Sequence, residues 1–190
     1  MLAGVKTMDA KHSFSIKNPK DLLQKMHRER ERVVASNDFN SADHKYQYDH
    51  AINFAYTAWH LVDWVWRYLE YNEINPQMVT GCKSYNDFHN LVRSECPALQ
   101  VCYELANGSK HFLATKLHDP VVKGTKEVVY DTDGMRSPMV KPMVRPLRRP
   151  LKKKHHADIK VQTERGAFKF TSLCNEACEF WDRFFEAGKF

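Results

Sequence analysis

AINFAYTAWHLVDWVWRYL, residues 51–69, decides the fold. It is the most apolar window of the chain and is long enough to span a bilayer. It also holds Asn53, His60, Asp63 and Arg67. Four such groups are costly in lipid, so the segment reads as the buried central helix of a globular core, and no membrane partner is expected. Its second half is apolar nearly all round, which requires packing on several sides. The helix is predicted over residues 41–71.

Upstream, residues 1–17 contain no uninterrupted apolar run, so no signal peptide is expected and the start reads as weakly structured. Asn18-Pro19 has the form of an N-cap followed by N1, opening a helix to about residue 35. Leu22, Leu23, Met26, Val33 and Val34 are its expected core contacts. HRERER, residues 27–32, alternates in sign and reads as a solvated face. Residues 36–40 form a polar turn.

Downstream, Asn75-Pro76 closes the central helix region. Ser84 with Asp87 three residues later predicts a helix start, and Cys96-Pro97 ends that helix and opens another. The second helix carries Leu99, Val101, Cys102, Leu105 and Ala106, with Gly108 as its expected stop. After Gly108 the character changes. Val121-Val122 and residues 127–130 read as strands, and Asp133-Gly134 as a turn. Beyond a proline-rich tract, Ile159, Val161 and Thr163 alternate with polar residues. Arg165-Gly166 then turns the chain, and Phe168 and Phe170 alternate again, which is a hairpin pattern. A last helix over 173–187 aligns Leu173, Ala177, Phe180, Trp181, Phe184 and Phe185 on one stripe, with Gly188 ending it.

Helices, then strands, then one helix predict the α+β class: a mainly α-helical bundle with a small antiparallel β-sheet and a C-terminal helix packed on the core. At 190 residues, 43% hydrophobic and 27% charged, one ordinary globular domain is expected. Its parts are a helical bundle over 18–110, a small sheet over 111–170 containing a basic Pro-rich loop at 137–156, and the helix at 171–188.

The net charge of +6 is concentrated. PMVKPMVRPLRRPLKK, residues 138–153, repeats in fours. With the next residue it supplies Lys141, Arg145, Arg148, Arg149, Lys152, Lys153 and Lys154 and no acid. Taking these seven from the 29 Lys and Arg leaves 22 against 23 Asp and Glu, so the remainder of the chain is about neutral. A basic tract on a neutral body suits an acidic partner: RNA or DNA, an acidic protein surface or anionic lipid. Proline every fourth residue forbids helix interior and central strand, so the tract reads as extended, partly polyproline II. The PxxP spacing read by SH3 domains is missing. In polyproline II a period of four carries the basic groups around the axis, which suits nonspecific phosphate contact. The plainer alternative is a charged, soluble loop joining two strands.

Two corners offer chemistry. On the central helix Asn53, His60, Asp63 and Arg67 fall within about 80° of arc, with His50 and Thr57 extending the stripe. Asp63 and Arg67 are spaced to pair. The stripe reads either as a groove with His60 as acid/base or as a buried network that fixes helix register. The second corner is ELANGSKHF, residues 104–112, where Asn107, Ser109, Lys110 and His111 follow one another at an expected helix-to-sheet junction. It reads either as a cleft edge or as a helix stop whose polar groups cap carbonyls.

No HExxH, CxxC, P-loop, GxGxxG or GxSxG occurs, so no metal site and no cofactor are expected. The odd set of five cysteines, Cys82, Cys96, Cys102, Cys174 and Cys178, sits largely among apolar residues and reads as reduced thiols in a cytoplasm.

FAYTAWHLVDWVW (54–66), CYELANGSKHF (102–112) and FWDRFF (180–185) together resemble uncharacterised bacterial proteins of about this size, helical with a small C-terminal sheet. More distantly, such a bundle is similar to the HEPN superfamily. These are prokaryotic helical domains, often dimeric, of toxin–antitoxin and phage-defence systems, and many are metal-independent ribonucleases with an R-x(4–6)-H motif. That resemblance implies a homodimer and, for an active member, a His moving protons beside an Arg that steadies phosphate. Here the spacing occurs only from Arg148 or Arg149 to His155 or His156, within the tract. The nearest helical counterpart, Asn107-x3-His111, lacks the Arg. The expectation is a cytoplasmic helical protein that engages nucleic acid through the tract. Were it to cleave RNA, His111 or His60 would be the base and Lys110 or Arg67 would hold phosphate. The alternative is a non-enzymatic interaction subunit whose basic arm grips an acidic protein.

Overall fold

The computed structural model describes residues 15–38, 41–110, 121–131 and 155–189. Asn18 opens α1 (Pro19–Ser36) with a reciprocal cap: its side chain accepts from the Asp21 amide at 3.0 Å, and the Asp21 carboxylate accepts from the Asn18 amide at 3.2 Å. Leu22, Met26 and Val33 are buried, whereas Val34 is 52% exposed and is not a core contact. The charged run is not wholly solvated either. Glu29 is only 3% exposed because it follows Met26 by three positions and precedes Val33 by four, on the buried stripe. Its carboxylate is matched by Lys25 at 3.2 Å and Arg32 at 2.8 Å.

The central helix α2 (Gln47–Tyr71) begins later than the pattern predicts. Ser41, His44 and Tyr46 donate their amides three residues back, to Asp38, Ser41 and Asp43, so the lead-in is a tight turn with a 3₁₀ segment at His44–Tyr46. Gln47 is buried, and its side-chain amide donates to the Ala157 carbonyl at 3.2 Å, which ties the helix start to the sheet.

Asn75-Pro76 does end the central region, but it also opens an unanticipated short helix, α3 (Pro76–Thr80), closed by Gly81 at φ 77°. Ser84 caps α4 (Tyr85–Glu95) at the Asp87 amide, 3.1 Å away. Helix α5 (Pro97–Lys110) passes through Gly108 instead of stopping there, and the Ser109 hydroxyl donates back to the Leu105 and Ala106 carbonyls.

Three antiparallel strands follow in the order β1-β2-β3: β1 (Val122–Asp131), β2 (His155–Thr163) and β3 (Gly166–Lys169). The two expected early strands are one strand, bulged between Val122 and Gly124. His155 and His156, expected in the basic loop, pair with Asp131 and Tyr130 as the start of β2. The hairpin at Arg165-Gly166 forms as read, with Gly166 at φ 124°, a conformation that suits glycine. Phe170 opens α6 (Phe170–Phe184) instead of ending a strand, because it is buried edge-on against Phe54, centroids 6.0 Å apart. The α-helix ends at Phe184 and a π-helical turn, Phe185–Lys189, contains Gly188. The Asp133-Gly134 turn and residues 138–154 lie outside the described residues, as does most of the expected weak start.

The architecture is the expected α+β bundle, with its C-terminal helix on the core. One hydrophobic cluster joins α1, α2, α4, α5, α6 and β2. Trp181 at its centre is fully buried and donates its indole N–H to the Ala58 carbonyl at 3.1 Å. No described helix is long and apolar enough to cross a membrane.

Candidate functional site

The polar stripe of α2 divides. Thr57 is buried, receiving Lys25 Nζ at 2.6 Å and donating to the Asn53 carbonyl at 2.7 Å, so it belongs to the α1–α2 contact. His50 has both ring nitrogens buried without a hydrogen-bond partner, with Tyr46 edge-on nearby. Asn53 is exposed. The remaining members, His60, Asp63 and Arg67, lie on the half-exposed side that faces α4.

Asp63 does not pair with Arg67. Arg67 instead meets Glu70 at 2.8 Å, three residues on, where Glu70 also accepts from the Trp66 indole at 2.7 Å. Asp63 turns across to α4. It accepts a short hydrogen bond from the Tyr85 hydroxyl, and His89 Nε2 lies 3.2 Å from its Oδ1. Burial alone would raise the Asp63 carboxyl. The hydrogen bonds from His89 and Tyr85 and the charges of His89 and His60 outweigh it and hold the group below the usual carboxylate range. Tyr85 is pushed up, first by burial and then by its bond to that carboxylate, so its hydroxyl remains a donor throughout the physiological range.

The His89 ring is held between aromatics, 4.7 Å from Trp59 and 4.3 Å from Tyr85. Arg67 lies over Tyr85 at 5.6 Å and Arg93 over Tyr103 at 5.0 Å. The cluster is thus a carboxylate-oriented imidazole with an arginine toward each side. It can exchange protons at the surface and attract an anion.

The α5 corner meets this stripe. Ser109 Oγ lies 3.1 Å from the Tyr56 hydroxyl, and Tyr56 packs on His60 with centroids 5.7 Å apart. Asn107 is half-buried within the helix, and Lys110 is its last residue. His111 lies outside the described residues, as do Lys141, Arg145, Arg148, Arg149, Lys152, Lys153 and Lys154. The structure therefore joins His60 and Ser109 through Tyr56, and Asp63 to Tyr85 and His89.

Tyr85 and His89 escape a reading of the sequence alone. Their signal is an aromatic and a histidine four apart on a helix already predicted, hence on one face. Glu104 escapes it too. It is buried on α5 and accepts the backbone amides of Val121 at 3.0 Å and Val122 at 2.7 Å, pinning the start of the sheet to the bundle. It borders a largely apolar cleft of about 460 Å³ between α2, α5 and the sheet, with Tyr48, Ile52, Leu105 and Phe170 among its walls. Ser109 also lines that cleft, and none of His60, Asp63 and Arg67 does.

All five cysteines are unpaired and buried. Burial raises every thiol, Cys96 to about 11 and Cys178 to about 12, which removes the nucleophilic thiolate. Among the described residues no group of three or more His, Cys, Asp or Glu is placed to hold a metal ion. No family model matches the chain, and neither a curated protein nor a solved structure matches it.

Proposed function

We propose that this chain binds nucleic acid through the basic tract, as a cytoplasmic protein of a prokaryotic defence or toxin–antitoxin system, HEPN-like in character. One observation carries the reading. The seven basic residues and no acid of residues 138–154 are inserted between Asp131 and His155, which are partners across two adjacent strands. The tract leaves and returns at one end of the sheet, attached to a body of near-zero net charge. Counterion release from a polyanion would drive such binding. The unpaired thiols support a reducing compartment. If bound RNA is cleaved without a metal, the groups arranged for proton transfer are His89 with Asp63, and His60 one turn away.

Salt-titrated binding to labelled RNA and DNA tests this reading. Binding that weakens steeply with salt supports it, and no binding at low salt ends it. Incubating labelled RNA with wild type, His60→Ala and His89→Ala tests catalysis, and equal decay in all three removes the enzymatic part.

A second reading is a non-enzymatic interaction subunit whose tract grips an acidic protein. It is favoured by the exposed apolar side chains at the end of α2 and along α3, where Tyr71 and Ile74 are joined by Met78 at 82% exposure. An acidic polypeptide that displaces RNA at matched charge favours this reading.

A further inference from the structure

A cavity of about 610 Å³ lies between the α4–α5 corner at Cys96-Pro97, the β2–β3 hairpin and the first two turns of α6. Its size suits a small molecule. It shares no described wall with the cleft beside Glu104. Its apolar walls have separate origins. Val101 and Leu173 are buried on the core sides of α5 and α6. Phe168 pairs opposite Val161, which is fully buried, so its ring is on the core side of the sheet. Yet β3 is an edge strand, and the ring is 41% exposed. It completes a wall of the cavity instead of the core.

The hydroxyls and acids of the cavity are already engaged. Thr163 Oγ1 donates to the Gly166 carbonyl at 3.0 Å, and Ser94 Oγ to the Leu91 carbonyl at 2.8 Å. Glu164 meets Lys123 at 2.9 Å. Glu176 accepts the Ala98 amide at 3.4 Å, at the start of α5. The two arginines are not matched in this way. Arg93 donates to the neutral Asn90 side chain and lies over Tyr103 at 5.0 Å, contacts that orient its guanidinium without cancelling its charge. Arg165 is exposed in the hairpin turn. Among the described residues, neither arginine forms an ion pair with a carboxylate.

We propose that this cavity binds a small organic carboxylate with an apolar body. Arg93 and Arg165 hold the carboxylate through charge-assisted hydrogen bonds, for which the guanidinium fork is shaped. Val101, Phe168 and Leu173 cover the body. Glu164 and Glu176 stand close enough to disfavour a dianion, so a single negative charge is the fit. The site uses neither the basic tract nor the Asp63–His89 contact, and its test is independent of the nucleic-acid reading.

Titration of the full chain with octanoate, followed through amide chemical shifts by NMR, tests the site. Saturable binding is expected, with the largest shifts at Val101, Phe168 and Leu173. Arg165→Gln, altered at an exposed position, should weaken octanoate about tenfold, the loss of one charge-assisted hydrogen bond. Arg93→Gln should weaken it at least as much. Should Arg93→Gln lose its helical circular dichroism, Arg165→Gln and Phe168→Ala decide, the latter weakening octanoate roughly several-fold through lost apolar cover. Octanol, with the same body and no charge, should bind wild type about tenfold more weakly than octanoate and be indifferent to Arg165→Gln. Absence of saturable octanoate binding at millimolar concentration overturns the proposal. So does a folded Arg165→Gln variant with wild-type affinity, or a set of shifts centred on Ile52 and Leu105 in the other cleft. Octanol or octylamine binding as tightly as octanoate would show that the arginines do not select the ligand, and inorganic phosphate binding more tightly would show that the apolar walls do not; either result overturns the assigned chemistry.

Discussion

His89 Nε2 lies 3.2 Å from Asp63 Oδ1, joining α4 to the central helix across a half-exposed seam. Spacing alone predicts a pairing of Asp63 with Arg67 along one helix. A contact between helices is worth more to the fold, because it fixes how α4 sits on α2. It also has a defined pH signature. The folded-state pKa of Asp63 is below the ordinary 3.8. A group depressed on folding contributes stability above its unfolded value, and that contribution disappears as pH falls through the folded value. Asp63→Asn should therefore lower the melting temperature at pH 6, by an amount corresponding to about 1 kcal/mol after allowance for solvent screening. The difference between variant and wild type should shrink below pH 4 and vanish at lower pH. A gap that is constant from pH 6 to pH 2.5 contradicts this assignment.

Glu104 gives a second test, on the joint between bundle and sheet. Its carboxylate receives two backbone amides, those of Val121 and Val122. Removing the carboxylate leaves part-buried donors unsatisfied. Glu104→Ala should cost about 2–3 kcal/mol in chemical denaturation, and Glu104→Gln, which keeps one acceptor oxygen, roughly half of that. Hydrogen exchange locates the effect: the Val121 and Val122 amides should lose protection before those of α5.

The contrast between these two residues shows what was legible in the sequence. Helix starts were legible because they depend on neighbours in the chain. Asn18 with Asp21 and Ser84 with Asp87 each satisfy an amide three residues on. The buried face of α6 was legible because it follows a helical period. Glu29 and Glu104 were not, since each is an acid on a buried face whose partners come from geometry: a local ion-pair set in one case, a distant strand in the other. Gly108 misled for the converse reason. An isolated glycine is a frequent stop, yet here the helix continues through it to Lys110. The His60 stripe was half legible, because spacing placed its residues on one side while only packing decided that Tyr85 and His89 complete it.

The thiols make a simpler prediction. All five are buried, and burial is the first cause that raises each. Native protein at pH 8 should react with less than one equivalent of an aromatic disulfide reagent over the time in which urea-unfolded protein releases all five. Fast stoichiometric reaction of any one thiol in the native state would show that it is exposed or paired with a base.

The core prediction rests on Trp181. Its ring is fully buried and its indole donates to the Ala58 carbonyl, linking the last helix to the middle of the central one. Trp181→Phe removes both the hydrogen bond and part of the ring volume, and should cost about 2–3 kcal/mol in urea unfolding. If α6 were merely laid on the surface, the same change would be nearly silent.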